Sequence, residues 1–211
     1  MRFVLFVEGP TEHRVVPEFL KRWLDTQLPY PVGIKPVCFR GCDRMVAEMC
    51  KKAQMYLDGP ERSEIIAVIG LLDLYGPSFY PSHLISSSER LQWAVNELEK
   101  RVDRPSRFKM FFAVHEVEAW LLSKPDLFPS EIKDALSKAT KGKSPEDIDF
   151  GEPPKKLLKR LYIRKAQRSY REVVDGVSLF RRLEPHAAYG ACPELKKMLD
   201  EMLRMAQRAA L

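Results

Sequence analysis

Nine residues, 64–72 (EIIAVIGLL), constrain this chain most. After the first glutamate every residue is apolar or glycine. The run lacks the alternation of a half-exposed strand and is far too short to span a membrane. It reads as a strand buried on both faces, and such a strand needs cover above and below. The neighbouring segments offer that cover. Residues 2–7, 34–40 and 108–114 are further short apolar runs, and Pro36 suits the second of them to a sheet edge.

Between these runs lie helical periodicities. Val15, Val16, Phe19, Leu20, Trp23 and Leu24 recur at helical spacing, which predicts a helix over residues 11–27, with Thr11 available as its cap. Asp43 is placed to cap a second helix reaching residue 57, where Asp58-Gly59-Pro60 stops it. Residues 89–102 give a third, and 117–122 begin a fourth. Strands separated by helices predict an α/β fold, with a parallel or mostly parallel sheet sandwiched by helices.

After Pro125 the strand signal ends. Residues 130–138, 154–162, 166–174 and 193–210 read as helices, and 138–149 as a polar linker. The last helix carries Leu195, Met198, Leu199, Met202, Leu203 and Ala206 on one stripe, a core face. The expected organisation is an α/β domain over residues 1–124 and a helical, basic C-terminal part over 125–211.

Composition narrows the function classes. Hydrophobic residues at 45% and charged residues at 30% exclude a disordered or wholly coiled-coil chain. The first residues, MRFVLFVEGPTE, meet a charge too soon for a secretory signal, and this points to the cytoplasm. Cys38, Cys42, Cys50 and Cys192 form no C-x-x-C pair, so small buried thiols are expected rather than a zinc site or a disulfide framework. The net charge of +6 is concentrated: residues 151–182 hold ten lysines and arginines against Glu152, Glu172 and Asp175. A basic segment on a near-neutral body suggests an anionic partner, nucleic acid first, although many charge runs are only solvated helix faces.

In parallel sheets, ligands bind beyond the carboxyl ends of the strands. Three of those ends offer acids: Glu8 with Glu12, then Asp73, then Glu116 with Glu118. Each has an ordinary reading. Glu12 complements a helix dipole, Asp73 could be a turn aspartate, and one of Glu116 and Glu118 could be a helix N-terminal acid. His115 reads as a neutral, hydrogen-bonded histidine rather than a ligand. Together the acids are more specific. Four or five carboxylates in one crevice repel one another unless a cation binds, and Mg²⁺ or Mn²⁺ takes carboxylate oxygens. The phosphate loop G-x-x-x-x-G-K-[ST], the dinucleotide G-x-G-x-x-G and the G-x-S-x-G elbow are all absent from the sequence.

The segments V-E-G-P-T-E, L-L-D-L-Y-G and E-V-E-A-W-L-L, with E-P-P-K-K-L-L-K-R-L-Y, resemble a Toprim-like family of uncharacterised bacterial proteins, domain-of-unknown-function family 4276. That family is similar to RloB proteins and to the nuclease half of the OLD family. The resemblance implies a Toprim-like parallel sheet and an acidic Mg²⁺ site that acts on nucleic-acid phosphodiesters. It matches Glu8 and Glu12 to the first acidic pair, Asp73 to the first aspartate of D-x-D, and Glu118 to the last acid, with Glu116 two before it. Lys155 or Lys156 matches a charge-stabilising lysine. Tyr75 replaces the second aspartate of D-x-D, and Glu116 stands where OLD-like enzymes have serine. OLD proteins also carry an ATPase domain that this chain lacks, so an ATPase would be a separate partner. A role in phage defence follows only from this resemblance.

The resulting expectation is a Mg²⁺-dependent nuclease, with Glu8 as general base or metal ligand and Glu12, Asp73, Glu116 and Glu118 holding the metal. Lys155 or Lys156 would steady the developing charge. Lys159, Arg160, Arg164, Lys165 and Arg168 would grip the nucleic-acid backbone. The chain is also a candidate homodimer. A non-catalytic nucleic-acid-binding or adaptor subunit is the alternative, favoured by Tyr75, and a phosphatase acting on a small substrate is a third.

Overall fold

A computed structural model describes residues 1–210 except 103, 105, 141, 149 and 150. Four strands, β1 (Arg2–Val7), β2 (Gly33–Cys38), β3 (Ile65–Asp73) and β4 (Phe108–Ala113), form one sheet in the order β2-β1-β3-β4. Every neighbouring pair is parallel, with Val7 opposite Leu71 and Asp73 opposite Ala113. β3 is buried through its first eight residues, as its unbroken apolar run requires. β2 lies at an edge, where Pro36 removes no needed donor.

Side-chain alternation along β1 divides the core in two. Phe3, Leu5 and Val7 face one layer, with α1 (Pro10–Gln27) and most of the chain after β4. Val4 and Phe6 face the other, with α2 (Cys42–Asp58) and α3 (Ser87–Lys100). Each fully buried aliphatic or aromatic side chain contributes about 1.5–3 kcal/mol, so both faces of the sheet are held by burial.

After β4 come α4 (Glu118–Leu121), α5 (Ser130–Thr140), α6 (Pro154–Ala166), α7 (Val177–Arg182), α8 (Pro185–Ala191) and α9 (Pro193–Ala209). Trp120 of α4 stacks on Phe19 of α1 at 5.4 Å and meets Phe180 of α7 edge-on at 6.3 Å. Residues on both sides of position 124 therefore share one core layer. The α9 stripe is buried as its spacing demands, with Met205 added and Leu203 partly exposed.

Several local expectations are corrected. Neither Thr11 nor Asp43 caps its helix: Gly9 and Gly41 are the N-caps, without side-chain bonds, and both acceptors fall inside the first turn. α3 is capped instead by a reciprocal Ser86–Glu89 box, which starts it two residues early. The helix expected over 166–174 does not form, because Gln167 turns left-handed (φ 52°) and ends α6. A single wide helical turn, Glu172–Gly176, then leads into α7. The span expected as a linker carries the end of α5 and a 3₁₀ turn at Pro145–Asp147; its last residue, Asp149, lies outside the described residues. All four cysteines are free, and only Cys192 is fully buried.

Candidate functional site

β1 connects to β2 on one side, and the chain then crosses to β3 on the other. That reversal opens a crevice between the carboxyl ends of β1 and β3. Glu8 follows β1 directly and Asp73 is the last residue of β3, so the topology places these two carboxylates on either side of it.

Glu12 sits in the first turn of α1, 9% exposed. Its carboxylate folds back over Gly9, where a Cβ would stand only 2.5 Å from Oε2. The backbone at Gly9 is extended (φ −125°), so glycine is needed there for space rather than for conformation. Glu118 opens α4 at 1% exposure, and the Trp120 anchor one half-turn on fixes its height. Glu116 is engaged differently. Its Oε2 accepts the backbone N–H of Lys155 at 2.9 Å, so it caps the start of α6 and draws that helix to the crevice.

The Lys155 ammonium is the cation among these acids. Its Nζ lies 3.7 Å from Glu116, 3.8 Å from Glu118 and 3.5 Å from Glu172. Burial alone would depress this lysine, but Glu118, then Asp73, Glu116 and Glu172, hold it above the usual lysine range. The acids respond in the opposite sense. Burial, and next Glu12 and Glu118, push Asp73 well above the carboxylate range, with Lys155 opposing. Glu8 is raised by burial, then by Glu12. Burial lifts Glu118 to about 8 despite Lys155. The carboxylates of three strand ends thus act on one another around one lysine.

The donor set is all oxygen and all carboxylate, the chemistry a hard divalent cation takes, and Glu8, Asp73 and Glu118 are raised first by burial and then by neighbouring acids. Glu118 Oε2 is buried without a hydrogen-bond partner, an acceptor left for something to bind. Among the described residues, no three His, Cys, Asp or Glu side chains are gathered into a group that could hold an ion. In this structure Lys155 is the cation that faces Glu116 and Glu118.

Lys155 faces the acids, whereas Lys156 is exposed and donates to the Gly151 carbonyl at 3.2 Å. The basic face is partly consumed within the molecule. Lys159 pairs with Glu172 at 2.9 Å, Arg160 with Glu152 at 2.8 Å, and Arg168 with Asp175 through two bonds of 2.8 and 2.9 Å. The three acids of the basic segment are thus each taken up by its cations. Arg164 and Lys165 remain exposed on the last turn of α6.

Three participants escaped sequence reading. Asp43 sits in the first turn of the helix after β2 as Glu12 sits in the first turn of the helix after β1, so the parallel with Glu12 could have found it; it raises Glu8. Cys42 lies beside it, its thiol pushed up to about 12 by burial, then Glu8, Asp43 and Asp73. Glu172 comes from the wide turn before α7, and nothing local in the sequence marks it as a partner of Lys155. His115 is fully buried at a left-handed position (φ 66°).

The model of a family described as a domain of unknown function (DUF4276) matches residues 7–203. No curated protein matches the chain. Among solved structures, the C-terminal region of the Burkholderia pseudomallei OLD protein is 16% identical at a TM-score of 0.48, covering 96% of this chain and 98% of that one. The C-terminal region of the Xanthomonas campestris pv. campestris OLD protein is 18% identical at 0.46, covering 98% and 95%. Likeness this distant carries no argument about chemistry, which rests on the crevice itself.

Proposed function

Since the chain belongs to the DUF4276 family, whose description assigns no activity, we propose from the crevice itself that it is a Mg²⁺-dependent enzyme cleaving nucleic-acid phosphodiesters. The observation that carries this reading is the crowding of Glu8, Asp73 and Glu118 around Lys155, each raised by burial and then by neighbouring acids, Glu12 among them. Glu8, Glu12, Asp73 and Glu118 would hold the metal. When bound, it would supply neutralisation and Lewis-acid polarisation of a phosphoryl oxygen.

The remaining work falls to the chain. Glu8, held above the ordinary carboxylate range at the crevice mouth, is suited to take a proton from an attacking water. Lys155 is placed to meet negative charge as it develops on the phosphate. Glu116 positions Lys155 through its backbone N–H. Arg164 and Lys165 offer salt-sensitive, sequence-tolerant phosphate contacts. An adaptor reading leans on the basic face, and Lys159, Arg160 and Arg168 already spend their charge on internal acids. A separate ATPase, a homodimeric state and a role in phage defence are further parts of the proposal.

The test is calorimetry of Mg²⁺ and Mn²⁺ with wild type, Glu8→Gln and Asp73→Asn, followed by cleavage assays on DNA and RNA. Binding that both substitutions weaken, with turnover lost in Glu8→Gln while nucleic acid is still bound, is the expected result. Wild type that binds neither metal, with nucleic acid present, would remove the metal mechanism.

A further inference from the structure

The wide turn Glu172–Gly176 sorts its side chains by charge. Its two acids are taken by cations: Glu172 meets Lys155 at 3.5 Å and Lys159 at 2.9 Å, and Asp175 holds Arg168 through two bonds. Its two valines stay open, Val173 with 53% and Val174 with 47% of their surfaces exposed. They line a groove of ≈ 540 Å³ beside α1 and α7, together with Arg14, Arg181 and Arg182. Among the described residues no acid lines it.

These arginines differ from the cations of α6. Arg14 and Arg181 are exposed, and among the described residues neither makes an ion pair. Glu18, one turn along α1 from Arg14 and from Arg22, lines only the small hollow that adjoins the groove and pairs with neither arginine. The frame behind the groove is fixed. Arg22 of α1 donates to the Phe180 carbonyl of α7 at 2.8 Å, and Arg182 donates to the Leu127 carbonyl at 2.9 Å. Arg22 Nε is buried without a hydrogen-bond partner. Two arginines are thus tied only to neutral carbonyls and two are tied to nothing, so the positive charge of this face is unanswered within the molecule.

We propose that this groove carries the sugar–phosphate backbone of the nucleic-acid substrate, with Arg14 and Arg181 on phosphate oxygens and Val173 and Val174 beneath the sugars. The inference rests on the nuclease reading and gives that substrate its track. A guanidinium is planar and always charged, and its paired N–H donors match phosphate oxygens. Aliphatic side chains beside it exclude water, which strengthens each charge contact relative to a fully solvated helix face. Consecutive Cα atoms stand about 3.8 Å apart, so Val173 begins the groove one residue from Glu172, which meets the crevice lysine. A backbone lying on the valines is therefore next to the ion pairs that surround the acids. Such contacts fix position and carry no sequence information.

The experiment is fluorescence anisotropy of labelled single-stranded DNA, single-stranded RNA and duplex DNA across a potassium chloride series with EDTA. Wild type should bind at least one of them; the tightest identifies the substrate form, and any of the three supports the proposal. Arg14→Ala combined with Arg181→Ala should weaken binding about 10-fold and lower the salt slope by about 1.4–1.8, two phosphate contacts' worth. Arg14→Lys combined with Arg181→Lys should keep the slope, because the charge is kept. Val174→Glu, at an exposed position, should weaken binding by placing an acid where none stands. Equal urea midpoints exclude misfolding as the cause. An unchanged salt slope in the double alanine variant, no nucleic-acid binding by wild type, or polyglutamate bound as tightly as nucleic acid would overturn the proposal, the last in favour of an acidic protein partner. Mg²⁺ calorimetry on the double alanine variant separates the two readings. Retained metal heat with weakened strand binding supports the groove. Absent metal heat in wild type removes the nuclease, and strand binding that still needs the two arginines then keeps the groove.

Discussion

Replacing Glu118 by glutamine should stabilise the protein, increasingly so as pH rises from about 4.5 to 8. Glu118 is 1% exposed, and its Oε2 has no hydrogen-bond partner. Burial raises its pKa from 4.5 to about 8, even with Lys155 at 3.8 Å drawing it down. In the unfolded chain the carboxyl ionises near its ordinary value. Between about pH 4.5 and 8 the folded state therefore binds the extra proton, and stability falls as pH rises through that window. At about 1.4 kcal/mol per tenfold change, the full loss is roughly 5 kcal/mol. Relaxation of the site around an imposed charge reduces this to about 2–4 kcal/mol. Glutamine copies the shape of the protonated acid and never ionises. Urea denaturation at pH 5 should give similar midpoints for wild type and Glu118→Gln. At pH 9 the variant should be more stable by about 2–4 kcal/mol, or about 5–12 °C in Tm. Saturating Mg²⁺ should close that gap by stabilising wild type alone. A difference independent of pH, or a variant less stable at pH 9, would refute the account of Glu118 as a buried acid that Lys155 offsets only in part.

Other expectations follow from the same geometry. Gly9→Ala should leave stability within about 1 kcal/mol, since the backbone there is extended, but should displace the Glu12 carboxylate and lower Mg²⁺ affinity by about 10-fold or more in calorimetry. Neutralising Arg164 and Lys165 together should reduce the salt slope of nucleic-acid binding by about 2, whereas Arg168→Ala should chiefly cost about 1 kcal/mol of stability by releasing Asp175. Cys42 should alkylate slowly at pH 8, its thiol being held at about 12, and Mg²⁺ should quicken the reaction several-fold by neutralising Glu8, Asp43 and Asp73. Labelling that ignores Mg²⁺ would place the cation elsewhere.

Much of the fold was legible in local sequence. The unbroken apolar run of β3 demanded cover on both faces, and the helical stripes of α1 and α9 supplied it. Pro36 marked β2 as an edge. These signals survive because burial acts on every residue of an element in turn, so its period is written into the chain. Turn chemistry was less legible. Thr11 and Asp43 are residues of the capping type, but the Glu12 carboxylate folded over Gly9 and the positive φ of Gly41 put glycines at both cap positions. The helix expected after residue 166 was lost to the left-handed Gln167.

For the site, the sequence by itself determined that acids stand at the strand ends, because strands end where apolar runs do. It also showed that the positive charge is concentrated between residues 151 and 182. Which of those charges meet was decided by tertiary structure alone. The order β2-β1-β3-β4 sets Glu8 and Asp73 on either side of one crevice. The packing of α6 brings Lys155, rather than Lys156, to Glu116 and Glu118. The wide turn before α7 delivers Glu172 to the same lysine and pairs Lys159 and Arg168, while Glu152 before α6 pairs Arg160. The physical reason is distance. Hydrophobic period is a property of neighbours along the chain, whereas the interaction of two charges depends on their separation and burial in space, which no local stretch of sequence encodes.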